Sequence, residues 1–213
     1  MSKLGLEGKD SDADGGMTYN YAVGDVVFIR AGSILFNKVS NATGSWTNHV
    51  GVIVGHDGHD YVVAESRVPL SSTTRLRRFV ARSENGRYAV RRLARTLSAD
   101  EQVLIREAAM KRLGILYHPG FKLRSQRQFC SKFVHEVYAE ALAEELGTVE
   151  TFDELLRKNP AASMRFWYFG RIPWNRETIT PTSLYLSPRM QTIADNYMPN
   201  DSRDIPTHHL DHA

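Results

Sequence analysis

A single cysteine in 213 residues rules out an intramolecular disulfide framework and any cysteine-based structural zinc site, because each needs a second thiol from the chain. Long apolar runs are missing too. No stretch approaches the roughly 20 residues that span a bilayer, and the opening Met1-Ser-Lys-Leu-Gly-Leu-Glu-Gly-Lys-Asp10 lacks the apolar centre of a secretory signal. The expectation is a chain made in the cytoplasm, with no transmembrane segment. Nor is there a strong excess of one charge: 27 Lys and Arg stand against 24 Asp and Glu, a net of +3, which is too little to imply a nucleic acid partner.

What is present suits one globular domain. With 42% hydrophobic residues there is material for one well-buried core, and the length argues against two. Residues 1–19, polar and carrying Gly15-Gly16, read as a flexible arm, 20–199 as a single domain, and 200–213 as a disordered tail. Arg75, Arg77, Arg78, Arg82, Arg87, Arg91, Arg92 and Arg95 crowd one stretch. This is either a solvated strand face or a surface attracted to an anionic polymer or membrane.

The first half is sheet-forming. Val26–Ile29, Val50–Val54, Tyr61–Ala64 and Tyr88–Val90 are short β-branched or aromatic runs bounded by Gly, Asp and Asn, with Ser33–Ser40 readable as a short helix. Ser98 and Glu101 fit a capping box that starts a helix over 99–113, stopped by Gly114. Cys130, Phe133, Val134, Val137, Tyr138 and Ala141 fall on one helical face and predict a second helix from Cys130 to near Gly147. Thr151-Phe-Asp-Glu154 starts a third, ending before Pro160. The prolines at 173, 181 and 188 point to irregular chain over the core.

The lone cysteine thus sits where a loop enters a helix, with its sulfur turned toward the sheet. First-turn N–H groups and the helix dipole stabilise a thiolate in that position. By itself such a cysteine reads as packing. His49 adds weight, because it stands immediately before the strand Val50–Val54 and can be oriented by the sheet while its ring reaches a helix. It could equally be a strand-end histidine bonded to backbone. If Val50–Val54 and Tyr61–Glu65 form a hairpin with Val54 opposite Asp60, His49 falls opposite Glu65, with Cβ atoms about 4.5–5.5 Å apart. Glu65 could then hold the imidazole in the tautomer that accepts the thiol proton, whereas a one-residue slip would turn it to the other face. Asp25 reads as a turn cap. His56 and His59 with Asp57 and Asp60 form a solvated loop rather than a metal site, and His208, His209 and His212 lie in the tail.

Taken in order, Gly24-Asp25-Val-Val-Phe28, Asn48-His49-Val-Gly-Val-Ile-Val54, Val63-Ala-Glu65 and Phe129-Cys130-Ser131-Lys-Phe-Val134 resemble the circularly permuted branch of the NlpC/P60 superfamily, the YiiX/YebB-like cysteine hydrolases. Gly114-Ile-Leu-Tyr117-His118 resembles that branch's Gly-x-x-Tyr-Asp segment, with His118 in place of Asp. The segment Pro173–Pro188, which contains Thr180-Pro-Thr-Ser-Leu184, is similar to a substrate-side extension. The resemblance implies an α+β, papain-like fold in permuted order, with the antiparallel sheet first and then helices packed on it, the cysteine at a helix N-terminus. It also implies Cys130 as nucleophile, His49 as general base, Glu65 as the group that orients it, and Tyr117 as a pocket or oxyanion residue. No metal or cofactor is implied.

Relatives in the wider superfamily make an amide bond of peptidoglycan stem peptides, near D-glutamate and the diamino acid, the leading expected substrate. An antibacterial effector carried to another cell's periplasm by a secretion machine, and countered by an immunity protein, is one setting for that activity. The alternatives are a cytoplasmic lipid or thioester hydrolase or acyltransferase, and a non-catalytic binding module of the same fold.

Overall fold

Val26–Ile29 and Val50–Val54 are unbroken apolar runs rather than alternating ones, the pattern of strands covered on both faces. In the computed structural model, which describes residues 20–32, 45–158 and 170–196, they are the two central strands of a six-stranded sheet. The strands are β1 (Val26–Ala31), β2 (His49–His56), β3 (Tyr61–Glu65), β4 (Ser72–Arg75), β5 (Ser83–Leu93) and, from the far end of the chain, β8 (Met190–Asp195). They are ordered β4-β3-β2-β1-β5-β8, and every paired neighbour is antiparallel. A separate two-stranded ribbon joins β6 (Val149–Thr151) to β7 (Glu177–Ile179).

Five helices accompany the strands among the described residues: α1 (Leu76–Val80), α2 (Ala99–Met110), α3 (Cys130–Leu142), α4 (Phe152–Lys158) and α5 (Pro181–Tyr185). On one face of the sheet Val26, Phe28, Val50, Val52 and Ala64 pack with Ile105 of α2 and with Cys130, Phe133, Val134, Val137 and Tyr138 of α3. On the other, Val27, Ile29, Ile53 and Val63 pack with Leu76 and Phe79 of α1. Burying one such branched or aromatic side chain is worth roughly 1.5–3 kcal/mol, so the two clusters anchor the central strands from both faces.

The capping box at the start of α2 is formed as read, with Ser98 Oγ accepting from Glu101 N at 3.1 Å and Glu101 Oε2 from Ser98 N at 2.8 Å. The α3 stripe is buried as expected, but that helix stops at Leu142 because Ala143 turns left-handed at φ 53°. A Thr151–Glu154 box opens α4, with reciprocal bonds of 3.2 and 2.7 Å. The expected Ser33–Ser40 helix, the arm and the tail lie outside the described residues.

The proline-bearing segment needs correction. Pro181 occupies the first turn of α5, where its missing N–H costs nothing, and Thr180 caps that helix by accepting from Ser183 N at 3.1 Å. Beyond Pro188 the chain supplies β8, the sheet's edge strand. Its alternation, with Met190 and Ala194 buried and Gln191 and Thr192 exposed, is too short and polar to stand out beside the central strands.

The arginine-rich stretch is largely neutralised. Arg75 pairs with Asp57 at 2.7 Å, Arg77 with Asp60 at 3.4 Å, Arg82 with Glu65 at 2.7 Å and Arg95 with Glu101 at 2.8 Å. Arg92 holds the buried Asp25 with two bonds of 2.6 and 2.7 Å, and Asp25 Oδ2 also accepts from Ala22 N at 2.8 Å. The same pairs occupy the aspartates of the His56–His59 loop, in which His56 Nδ1 accepts from Gly58 N at 3.0 Å.

Candidate active site

Three side chains from three elements meet at one end of the sheet. β2 opens at His49, antiparallel β3 closes at Glu65, and α3 begins at Cys130. The chain entering β2 is tightly held. Thr47 Oγ1 donates to the Ile29 carbonyl at 3.0 Å, and the Asn48 side chain takes both backbone groups of Ala31, at 2.7 and 3.1 Å. His49 is thereby fixed opposite Ile29, and its ring stacks on Phe79 with centroids 5.5 Å apart.

Glu65 is fully buried and accepts from two partners. Its Oε2 lies 2.6 Å from His49 Nε2, and its Oε1 receives Arg82 Nη2 at 2.7 Å. With Nε2 so occupied, Nδ1 is the nitrogen left to exchange a proton with Cys130, whose charge acts on the ring. Cys130 itself is 3% exposed.

The register that joins His49 to Glu65 differs from the expected one. The observed pairs are Ile53 with Val63 and Val52 with Ala64, so Glu65 falls beyond Ala64 and not directly opposite His49. The reason lies in the turn. Asp57 Oδ1 accepts from the N–H groups of His59 and Asp60 at 3.0 and 2.9 Å, a tight Asx-type turn that brings His56 opposite Tyr61. An irregularity between Ile53 and Gly55 then takes one residue of that displacement back, leaving a net shift of two from the expected register. The net displacement is even, so the two side chains keep a common face, and diagonal neighbours at that spacing are within reach of long side chains.

Gly51 makes room for the arrangement. A Cβ there would come within 2.6 Å of Val63 Cγ1 and 3.0 Å of Phe79 Cε2, displacing the ring on which His49 stacks.

The electrostatics follow from burial and pairing. Burial disfavours the imidazolium of His49, but the Cys130 charge and hydrogen bond, with the Glu65 bond and charge, more than offset it and raise the group from 6.5 to about 9. Burial likewise works against the Glu65 carboxylate, yet the bond and charge of His49 and the charge and bond of Arg82 hold it below its ordinary range. Tyr117 is buried beside the pair, and its hydroxyl is pushed well upward by burial and then by the Cys130 charge. Backbone bonds tie Tyr117 N to the Pro69 carbonyl at 2.9 Å and His118 N to the Gln128 carbonyl at 2.6 Å. His118, which replaces the acid expected there, turns its Nδ1 onto Gly120 N at 3.0 Å, so it serves its own loop.

Arg82 is the residue that sequence reading placed only within a charged stretch. Its guanidinium lies over Phe79, 4.9 Å from the ring centroid, and closes a ring of contacts running Phe79, His49, Glu65, Arg82. The charged and titratable groups facing His49 are thus Glu65 of β3, Cys130 of α3 and, through Glu65, Arg82 from the turn after α1. Removing the Arg82 charge leaves the Glu65 charge to His49 alone, so His49 holds its proton more tightly. Arg82→Gln should therefore move the alkaline limb of a pH–rate profile upward and lower the rate about tenfold, with Arg82→Lys recovering part of the loss.

A thiol at a helix start, bonded to an imidazole that a carboxylate orients, defines a cysteine hydrolase of the papain-like class. Here the strands bearing histidine and acid precede the cysteine helix, the permuted order. The chain belongs to the C92 family of permuted papain-like amidase enzymes, the YaeF/YiiX family, whose family model matches residues 20–194.

Over 176 residues the chain is 28% identical to the uncharacterized protein YiiX of Escherichia coli strain K12, covering 82% of this chain and 86% of that one. The crystal structure of the metalloprotein YiiX from Escherichia coli O157:H7 superposes with a TM-score of 0.77 at 28% identity, over 83% of this chain and 98% of that one. Among the described residues here, no group of three or more His, Cys, Asp and Glu side chains is arranged to hold a metal ion. The donors among the described residues do not fit one.

Proposed function

We propose that this chain hydrolyses an amide bond through a Cys130 thiolate, with His49 as acid and base and Glu65 as its orienting carboxylate, and that the amide belongs to a peptidoglycan stem peptide. The observation that carries the reading is the meeting of Cys130, His49 and Glu65 at the start of α3, with the carboxylate 2.6 Å from the imidazole and the cysteine's charge acting on the same ring. That helix start has no side-chain cap, which leaves first-turn N–H groups for a developing oxyanion. Tyr117 is the second candidate for that oxygen. The ordered set of strands and helix is also what we read as kinship with the NlpC/P60 enzymes.

In the first half-reaction the sulfur attacks the carbonyl carbon, and the carbonyl oxygen takes up the negative charge beside the Cys130 N–H. His49 gives its proton to the nitrogen as the C–N bond breaks, leaving a thioester on Cys130 and a free amine. The now neutral imidazole takes a proton from water, whose oxygen attacks the thioester. The acid product leaves, and the thiolate and imidazolium are restored.

The pH dependence follows from the direction of the His49 shift. A cation raised from 6.5 to about 9 contributes its pairing energy fully below 6.5 and loses it as pH rises through about 9. Since that proton is also the one the leaving amine needs, kcat/KM should fall above about pH 9.

The deciding experiment is mass spectrometry of products released from intact peptidoglycan by the wild-type protein and by Cys130→Ala. Cleaved stem peptides from wild type alone would uphold the reading, and a periplasm-directed wild type should then lyse cells. Release by neither, with Cys130 still labelled by a thiol probe, would shift the substrate to a lipid or thioester. The pairing of most of the clustered arginines with acids offers that alternative little support.

A further inference from the structure

A cleft of about 510 Å3 is lined on one side by Lys122 and Arg124 and on the other by Pro173, Trp174, Asn175, Arg176 and Glu177. Both walls are tied to the residues flanking Cys130. On the first, Phe121 packs edge-on against Phe129 with centroids 5.6 Å apart. On the second, β7 begins at Glu177, and its last residue, Ile179, accepts the buried Ser131 hydroxyl at 2.7 Å. The walls are also tied to each other, through Leu123 N to the Glu177 carbonyl at 3.0 Å and Arg176 Nη1 to the Gly120 carbonyl at 2.9 Å. The cleft and the residues on either side of the thiol are therefore joined by one set of packing contacts and hydrogen bonds.

The lining carries three cations and one anion. Arg124 shares the anion, Glu177, at 2.7 Å, Arg176 is turned to a backbone carbonyl, and Lys122 makes no ion pair with the described residues. The same positive field is felt deeper in the loop: His118 is lowered by burial and then by the charges of Arg176, Arg127 and Lys132. A basic wall with a Trp174 ring that is 45% exposed has the chemistry to hold an anionic group on an otherwise apolar or peptide ligand. Arginine's planar fork matches a carboxylate.

We infer that the cleft formed by Lys122, Arg124, Trp174 and Arg176 is a substrate subsite that takes a carboxylate of a peptide whose scissile amide reaches Cys130. This rests on the amide-hydrolase reading above for where the substrate lies, and it adds the feature by which the substrate is chosen. Lys122 and Arg124 supply the attraction and Trp174 the apolar floor. Arg176, bonded to Gly120, positions the wall.

The test uses full-length Cys130→Ala, so that binding is measured without turnover. The probes are L-Ala-γ-D-Glu-L-Lys, which carries a free carboxylate beside the isopeptide bond, its carboxamide counterpart, and soluble dihexanoyl phosphatidic acid. In titration calorimetry at low salt the acid should bind about tenfold tighter than the amide. Adding Lys122→Gln and Arg124→Gln, both exposed positions, should erase that difference and leave the circular dichroism spectrum unchanged.

Equal binding of acid and amide, or a preference that survives both substitutions, would overturn the inference. Binding of phosphatidic acid without the acid peptide would overturn it in favour of a phosphate headgroup. Carboxylate-dependent binding by Cys130→Ala, combined with no amide cleavage by wild type, would instead defeat the hydrolase reading and leave the subsite standing.

Discussion

Cys130→Ala should abolish turnover while leaving the fold intact, a loss of roughly 10^4-fold or more in kcat, as expected for groups that act as a unit. The side chain removed is small, buried and within an apolar cluster, so the sulfur atom is lost with little disturbance to the packing of Phe133 and Val134. Circular dichroism should be unchanged. A second readout separates chemistry from packing. The thiolate is the leading cause that raises His49 to about 9, so in Cys130→Ala the imidazole should titrate well below that value when followed by NMR. A histidine still titrating near 9 in the variant would mean that Glu65 alone holds the proton, and the ion-pair account of the site would be wrong.

Glu65→Ala is expected to cost both stability and rate. The carboxylate is fully buried and is shared by His49 at 2.6 Å and Arg82 at 2.7 Å. Its removal leaves Arg82 without its anion and His49 with the Cys130 charge alone, and it opens a gap beside Phe79. Arg82 is partly exposed, with 35% of its side chain accessible, so it can turn to water. His49 cannot. The penalty should therefore lie near the lower end of that for breaking a buried pair, about 3 kcal/mol, read by denaturant titration. The rate should fall by roughly 10^2- to 10^4-fold, because the imidazole loses both its orientation and its support as a cation. Glu65→Gln keeps the shape and should recover most of the stability but little of the rate. If it instead recovered full activity, Glu65 would be a structural residue only.

The two strongest local signals in the sequence are the apolar stripe beginning at Cys130 and the capping pair Ser98 and Glu101. Both became helices because each depends on residues within a turn or two of one another. His49 before an apolar strand and Glu65 at the end of the next are likewise readable, since period-two alternation places both on one face however the strands slide by even steps. What failed depended on turn geometry that residue types do not display, or on partners far along the chain. The hairpin register was off by two because the Asp57 turn and the irregularity after Ile53 were both invisible to simple counting. β8 is a strand only because the edge of β5 is there to pair with it, and Pro181 and Pro188 hid that edge.

The order of the elements, the buried central strands and the candidate cysteine, histidine and acid were all legible in the spacing of residues and in the scarcity of competing ones. Only the tertiary structure decided that Arg82 holds the second oxygen of Glu65, that Phe79 carries the imidazole, and that Lys122 and Arg124 face Trp174 and Arg176 across a cleft. Those contacts join residues 17 apart for Glu65 and Arg82, and 56 apart for Gly120 and Arg176. No local pattern encodes such a meeting, because the free energy that fixes it comes from packing the whole sheet and its helices together.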